Sequence, residues 1–146
     1  MKTIIYSLDT LDAVVEEIYS LLNTSSVFTF SGNLGAGKTT FIKRLLLRCQ
    51  VEGLVTSPTF TYVVNYTNKQ GQSFYHYDLY RINQQAEFLR AGLDEFLYVP
   101  HSWSFIEWPE IIMPLLTQKA CYITLEYHGE HERMLRYSFS TDINNI

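Results

Sequence analysis

Gly32-Asn33-Leu34-Gly35-Ala36-Gly37-Lys38-Thr39 is the stretch on which the reading of this chain turns. It matches the pattern G-x-x-x-x-G-K-[ST], and a chance match in a chain of this size is on the order of 1% or less. Each residue type has a chemical reason. A nucleotide's phosphates need backbone N–H groups aimed at their oxygens, and Gly32, Gly35 and Gly37 let the chain wrap closely, with no Cβ in the way. A helix starting at this point presents its positive end to the anion. Lys38 brings a mobile charge for the outer phosphates, and the Thr39 hydroxyl suits a Mg²⁺ ion. A turn that merely caps a helix would explain neither Lys38 nor the three glycines together.

The flanks agree. Residues 26–31, Ser-Val-Phe-Thr-Phe-Ser, are β-rich and read as a buried strand, and residues 40–48 carry a helical pattern. Strand, glycine-rich turn and helix form the setting a phosphate-binding loop requires. Upstream, residues 2–7 read as a first strand. Leu11, Val14, Val15, Ile18, Leu21 and Leu22 then recur at helical spacing, with Asp9 or Thr10 as cap and Asp12, Glu16 and Glu17 facing outward.

Downstream, residues 61–66 and 73–77 form a hairpin around Asn68-Lys69-Gln70-Gly71. Residues 83–89 are helical up to Gly92, and residues 102–106 form an apolar strand ending at Glu107. Residues 110–117 read as a short helix, against the presence of Pro114. Residues 121–127 and 133–139 are strands joined around His128-Gly129-Glu130-His131, and residues 141–146 read as a frayed tail. The predicted fold is α/β and P-loop NTPase-like: one domain over residues 1–146, with a mixed sheet flanked by helices and a C-terminal antiparallel hairpin.

Two acids stand at predicted strand ends. Asp78 follows Phe74-Tyr75-His76-Tyr77, and Glu107 follows Trp103-Ser104-Phe105-Ile106, which has the look of a Walker B strand. Ligands of open α/β sheets sit beyond the carboxyl ends of the strands, so both are candidates for Mg²⁺ or for the attacking water. On position alone, a solvated strand-end acid accounts for either equally well. Thr59, after Ser57-Pro58, is placed to sense a γ-phosphate as a switch loop does, with an ordinary Ser-Pro turn as the plain alternative. Asn68-Lys69-Gln70-Gly71 begins like a guanine-reading motif but has Gly where an Asp must accept hydrogen bonds. ATP is therefore the default nucleotide.

The whole chain sets limits. It has 146 residues, 47% of them hydrophobic, and a formal net charge of −4. That balance disfavours direct, strong binding to nucleic acid. Lys43, Arg44 and Arg48 on the loop's helix are a solvated face or a docking patch. His128 and His131 lack the further ligands a transition-metal site needs. Cys49 and Cys121 are too far apart in sequence for a C-x-x-C pair, and they read as free thiols. No stretch reads as a secretory signal or a membrane span, so the expected compartment is the cytoplasm.

Taken together, Gly32 to Thr40, Ser57-Pro58-Thr59-Phe60, His76-Tyr77-Asp78-Leu79-Tyr80-Arg81, Gly92-Leu93-Asp94-Glu95 and Ile106-Glu107-Trp108-Pro109-Glu110 resemble one family, the bacterial TsaE (YjeE) ATPases of tRNA threonylcarbamoyladenosine biosynthesis. The elements come in the family's order and cover nearly the whole chain. The resemblance implies an ATPase that binds ATP with Mg²⁺ and turns it over slowly alone. It implies association with the TsaD and TsaB proteins, which stimulate hydrolysis, and contact with tRNA only through that complex. Carried over by position, Asn33, Leu34, Gly35, Ala36, Gly37, Lys38, Thr39, Thr40 and Thr59 bind the nucleotide. Thr39, Glu107 and Asp78 belong at the metal, and Asp78, Glu107 and Lys38 are catalytic. Two departures stand out: Asn33 where many members have Asp, and Ile111 where a basic residue is common. A P-loop kinase acting on a small molecule, or a nucleotide-dependent scaffold without needed turnover, are the competing readings.

Overall fold

The structure is a computed structural model that describes residues 1–58 and 61–139. The expected sensor Thr59 and the expected frayed tail, residues 141–146, lie outside the described residues.

Seven strands make one mixed sheet: β1 (Lys2–Ser7), β2 (Val27–Ser31), β3 (Val63–Thr67), β4 (Ser73–Asp78), β5 (Ser102–Glu107), β6 (Ala120–His128) and β7 (Glu132–Phe139). Their order across the sheet is β1-β7-β6-β2-β5-β4-β3. The central strands β6, β2, β5 and β4 run parallel, while β1, β7 and β3 are antiparallel to their neighbours. The β3–β4 hairpin and the C-terminal β6–β7 hairpin both form as the sequence predicts.

Helices α1 (Leu11–Tyr19) and α2 (Lys38–Arg48) cover one face of the sheet. Leu11, Val14, Val15 and Ile18 are the buried stripe of α1, and Phe41, Ile42, Leu45 and Leu46 that of α2. Burying each such side chain contributes about 1.5–3 kcal/mol, which fixes the start of α2 against the sheet. Phe41 meets Tyr6 and Phe30 at ring separations of 6.4 and 5.8 Å. The other face holds a second core around Tyr77, Ile106, Phe88 of α3 (Gln85–Arg90), Leu93 and Ile112. Successive residues of β2 and β5 serve opposite faces, as a doubly covered strand must.

Three local expectations need correction. First, α1 stops at Tyr19. Leu21 and Leu22 lie in tighter turns closed by Leu21 N–H to Ile18 O (2.9 Å) and Leu22 N–H to Tyr19 O (3.1 Å). The polar run Asn23-Thr24-Ser25-Ser26 has weak helix propensity and competes for the backbone, so the helix ends early while both leucines still pack on the core. Second, Thr10 does not cap α1 with its side chain. Its hydroxyl instead accepts the Ser7 N–H at 2.9 Å across a 3₁₀ turn, Leu8–Thr10. Third, residues 110–117 form only a 3₁₀ turn, Met113–Leu115, because Pro114 removes a donor that a longer helix needs.

On the surface of α2, Arg44 and Arg48 face Asp12 and Glu16 of α1 at 3.8 and 2.5 Å. Two of the three basic residues expected on this helix are thus paired within the chain. Among the described residues, no helix is long and apolar enough to cross a membrane.

Candidate functional site

The parallel register decides where the two acids arrive. Asp78 and Glu107 are direct partners across β4 and β5, and Phe30 of β2 is the partner of Glu107 on the other side. All three strands end together, beside the loop that follows Ser31 and opposite the start of α2. Lys38, Thr39, Asp78 and Glu107 line one pocket of about 250 Å³, together with Tyr80 and Trp108. Residues from three separate stretches of the sequence therefore meet at one point.

The loop geometry shows why two of its glycines are required. Gly32 has φ +152°, and a Cβ there would sit 2.3 Å from the carbonyl oxygen of Leu125 in β6. Gly37 has φ +103° and occupies the left-handed position at the head of α2. The loop closes on itself through Ala36 N–H to the Asn33 carbonyl, 3.0 Å. At Asn33 this turn uses the peptide and not the side chain, so the Asn-for-Asp departure leaves the loop's shape alone. The other departure, Ile111, packs against the second core, and its carbonyl accepts a 3.1 Å bond from the Gln85 amide.

Lys38 is only 5% exposed. Its ammonium donates to the Gly32 carbonyl and lies 3.4 Å from the centroid of the Trp108 ring. Burial holds its pKa below the usual lysine value, while the carboxylates of Glu107, Glu110 and Asp78 pull it back up. Trp108 itself has φ +55°, a conformation that costs a non-glycine residue on the order of 1 kcal/mol or more. Its ring also meets Tyr80 at 5.0 Å.

Glu107, 2% exposed, has both carboxylate oxygens engaged. Oε1 accepts the Thr39 hydroxyl at 2.7 Å, and Oε2 lies 2.6 Å from His76 Nε2. Asp78 is freer. Its Oδ1 accepts the Tyr80 N–H at 3.1 Å, and its pKa is raised, chiefly by desolvation, with the Glu107 charge adding to the rise. The Tyr80 amide, His76 and Lys38 oppose that shift.

A second cavity, of about 500 Å³, opens on the other side of the loop. Gly35, Gly37 and Thr40 border both spaces. Tyr6 and Leu8 from the β1–α1 region and His131 and Arg133 from the β6–β7 hairpin complete it. Tyr6 is pushed up to about 12 by burial, against the nearby Arg133 charge, and stays neutral. His131 is an exposed turn residue, as expected from sequence, whereas His128, also exposed, is the last residue of β6 and pairs with Glu132 of β7. Nothing in the sequence marks Tyr6 or Arg133 as bordering the loop, because they reach it only through strand pairing.

The donor set is all hard oxygen: one hydroxyl and two carboxylates. Among the described residues no group of three or more His, Cys, Asp or Glu is gathered to hold a metal ion. A site of this kind fits Mg²⁺, which takes one or two protein carboxylates and draws further ligands from substrate phosphates.

Comparison with known proteins gives a consistent picture. The family model for the threonylcarbamoyl adenosine biosynthesis protein TsaE matches residues 5–135. The tRNA threonylcarbamoyladenosine biosynthesis protein TsaE of Bacillus subtilis is 32% identical over 126 residues, covering 86% of this chain and 77% of its own. The protein of the same name from Aquifex aeolicus is 36% identical over 129 residues, covering 84% of each chain. Among solved structures, YdiB of Bacillus subtilis superposes with a TM-score of 0.66 at 26% identity, over 93% of this chain and 84% of that one.

Proposed function

The chain belongs to the TsaE family of threonylcarbamoyl adenosine biosynthesis proteins, and from that premise we propose that it is a Mg²⁺-dependent ATPase serving the threonylcarbamoyladenosine modification of tRNA, with TsaD and TsaB as partners. The observation that carries the ATPase reading is the 2.7 Å contact between Thr39 at the head of α2 and Glu107 at the end of β5, directly beneath the glycine loop. A turn that only caps a helix has no use for a buried carboxylate aimed at its first hydroxyl.

The loop amides and Lys38 hold the phosphate chain. Lys38 reaches it by exchanging the Gly32 carbonyl and the Trp108 ring for phosphate oxygens, a short movement for a flexible side chain. The 250 Å³ pocket takes the outer phosphates, and the 500 Å³ cavity beyond Gly35, Gly37 and Thr40 takes the nucleoside. Thr39, Glu107 and Asp78 are the residues to hold Mg²⁺, which supplies charge neutralisation at the outer phosphates. Both oxygens of Glu107 are already committed, so Asp78 is the better placed to orient the attacking water. Its raised pKa makes it a stronger base than an ordinary aspartate.

Among the described residues that line the phosphate pocket, Lys38 is the one cation. A cationic group supplied in trans is worth about 10³–10⁵ in phosphoryl-transfer rate. Slow turnover alone and faster turnover in the TsaD–TsaB complex follow from this. The test is phosphate release by the purified protein with and without that partner pair. Stimulation that disappears in Lys38→Ala supports the reading. Equally fast turnover with and without partners overturns the partner-completed site, and ATP turnover retained by Lys38→Ala overturns the site itself.

A further inference from the structure

We propose that His76 is a positioning residue whose work is to hold the Glu107 carboxylate in the one orientation that serves the metal site, an inference that rests on the ATPase reading above. His76 lies in the middle of β4 and is 0% exposed. Its Nε2 is 2.6 Å from Glu107 Oε2, while Glu107 Oε1 takes the Thr39 hydroxyl at 2.7 Å. Three elements, β4, β5 and α2, are thereby joined through one carboxylate.

The other ring nitrogen supplies the second argument. Nδ1 of His76 is buried and finds no hydrogen-bond partner among the described residues. A buried polar atom without a partner opposes folding, so packing alone favours an apolar residue at this position. Its neighbours fit such a residue. Phe74 precedes it on the same face of β4, and Phe105 is its register partner in β5. What an apolar side chain lacks is a donor aimed at Glu107 Oε2. Held by that donor, the carboxylate has one rotamer, and Oε1 is kept toward Thr39 and the phosphate pocket. Without it, Oε2 is a buried charged oxygen with no partner, and Glu107 must rotate to find one. The imidazole touches neither phosphate nor the reacting atoms.

Reach gives the proposal its test. A glutamine amide nitrogen sits close to where His Nε2 sits, whereas an asparagine amide reaches only to the place of Nδ1. Affinity for a fluorescent N-methylanthraniloyl derivative of ADP is measured for the full chain with Mg²⁺ and with EDTA, in wild type, His76→Leu, His76→Gln and His76→Asn. The readout is the ratio of the two affinities. Loss of an outer-shell partner lowers metal affinity about 10–100-fold, and the ratio is expected to fall accordingly in His76→Leu and His76→Asn and to be kept in His76→Gln. Circular dichroism melts establish that each variant is folded. If His76→Leu fails to fold, the Gln and Asn variants, equal in polarity and different in reach, carry the comparison. A ratio in His76→Leu equal to wild type, or equal ratios in the Gln and Asn variants, overturns the role of His76 alone. A wild-type protein that binds the analogue equally well with and without Mg²⁺, or not at all, overturns the metal-site reading and this inference with it.

Discussion

The ammonium of Lys38 rests 3.4 Å from the centroid of the Trp108 ring, and both residues border the phosphate pocket. The indole face gives a cation–π contact to a charge that burial has already stripped of much of its water. On the proposed reading the phosphates draw on the same ammonium, so nucleotide binding is expected to disturb this contact.

Trp108 is therefore expected to report occupancy through its own fluorescence. The chain has 2 tryptophans. The other, Trp103, is stacked on Phe74 and bonded to the Leu22 carbonyl at the opposite end of β5, away from the pocket. Titration with ADP and Mg²⁺ should change the emission of wild type and of Trp103→Phe, and leave Trp108→Phe nearly silent. A signal that survives in Trp108→Phe and vanishes in Trp103→Phe would show that Lys38 and Trp108 do not part on binding.

Lys38→Ala removes charge-assisted bonds worth about 1.5–3 kcal/mol, so ATP affinity should fall by roughly 10–100-fold and turnover should be lost. Calorimetric titration reads the first and phosphate release the second. Lys38→Arg should not rescue, because a planar guanidinium does not fit between the Gly32 carbonyl and the Trp108 ring as a point charge does.

Asp78 links activity to a stability cost with a defined sign. Its folded pKa lies above the ordinary 3.8, chiefly because its charged form is desolvated. A group raised in this way favours the fold while protonated, below the unfolded value, and that contribution is lost as pH rises through the folded pKa. Asp78→Asn keeps an oxygen for the Tyr80 N–H and removes the charge. It should raise the melting temperature at pH 7, lose that advantage below about pH 3.8, and abolish ATP turnover. Thermal melts across pH decide the matter. A lower melting temperature at pH 7 would mean that attraction to Lys38 outweighs desolvation.

How much of this site was legible in the sequence depends on distance along the chain. The glycine loop, its strand and its helix are contiguous, so residue type alone marks Gly32, Gly37, Lys38 and Thr39. Asp78 and Glu107 were visible as acids ending apolar strands. Their pairing was not, because it depends on β4 and β5 lying side by side in parallel register. The same holds for His76, whose partner Glu107 is 31 residues away, and for Thr39, which is 68 away from it. The left-handed backbone of Trp108 has no sequence signal at all, since tryptophan is a poor residue for it. The helix expected over residues 110–117 failed for a local reason that the sequence did contain, Pro114.

The glycines of the loop are expected to rank by what stands in the way. At Gly32 an added methyl meets the Leu125 carbonyl, which is backbone in β6 and is held by the sheet. At Gly35 it meets the Tyr127 hydroxyl at 2.6 Å, the far end of a half-exposed side chain that can swing aside. Both also carry positive φ, +152° and +82°. Gly32→Ala should destabilise by more than about 2 kcal/mol, and Gly35→Ala by about 1 kcal/mol, the conformational term alone. Urea unfolding measures both. Equal losses would mean that β6 yields as readily as a tyrosine.

The 500 Å³ cavity makes a claim that can be separated from the phosphate pocket. Arg133 borders it, with its guanidinium 4.3 Å from the centroid of the Tyr127 ring, and the side chain stands on the hairpin, not on the loop. If the nucleoside enters there, Arg133→Ala should weaken ATP by a few-fold, in line with about 0.5–1 kcal/mol for an exposed stacking or cation–π contact. Inorganic tripolyphosphate, which has no nucleoside, should bind wild type and variant alike. Competition of each ligand against the same fluorescent ADP derivative gives both numbers. A parallel loss for ATP and tripolyphosphate would make Arg133 a long-range electrostatic contributor and would move the nucleoside out of this cavity. Loss for ATP alone would place the base or ribose against the β6–β7 hairpin, far along the chain from the loop proposed to hold its phosphates.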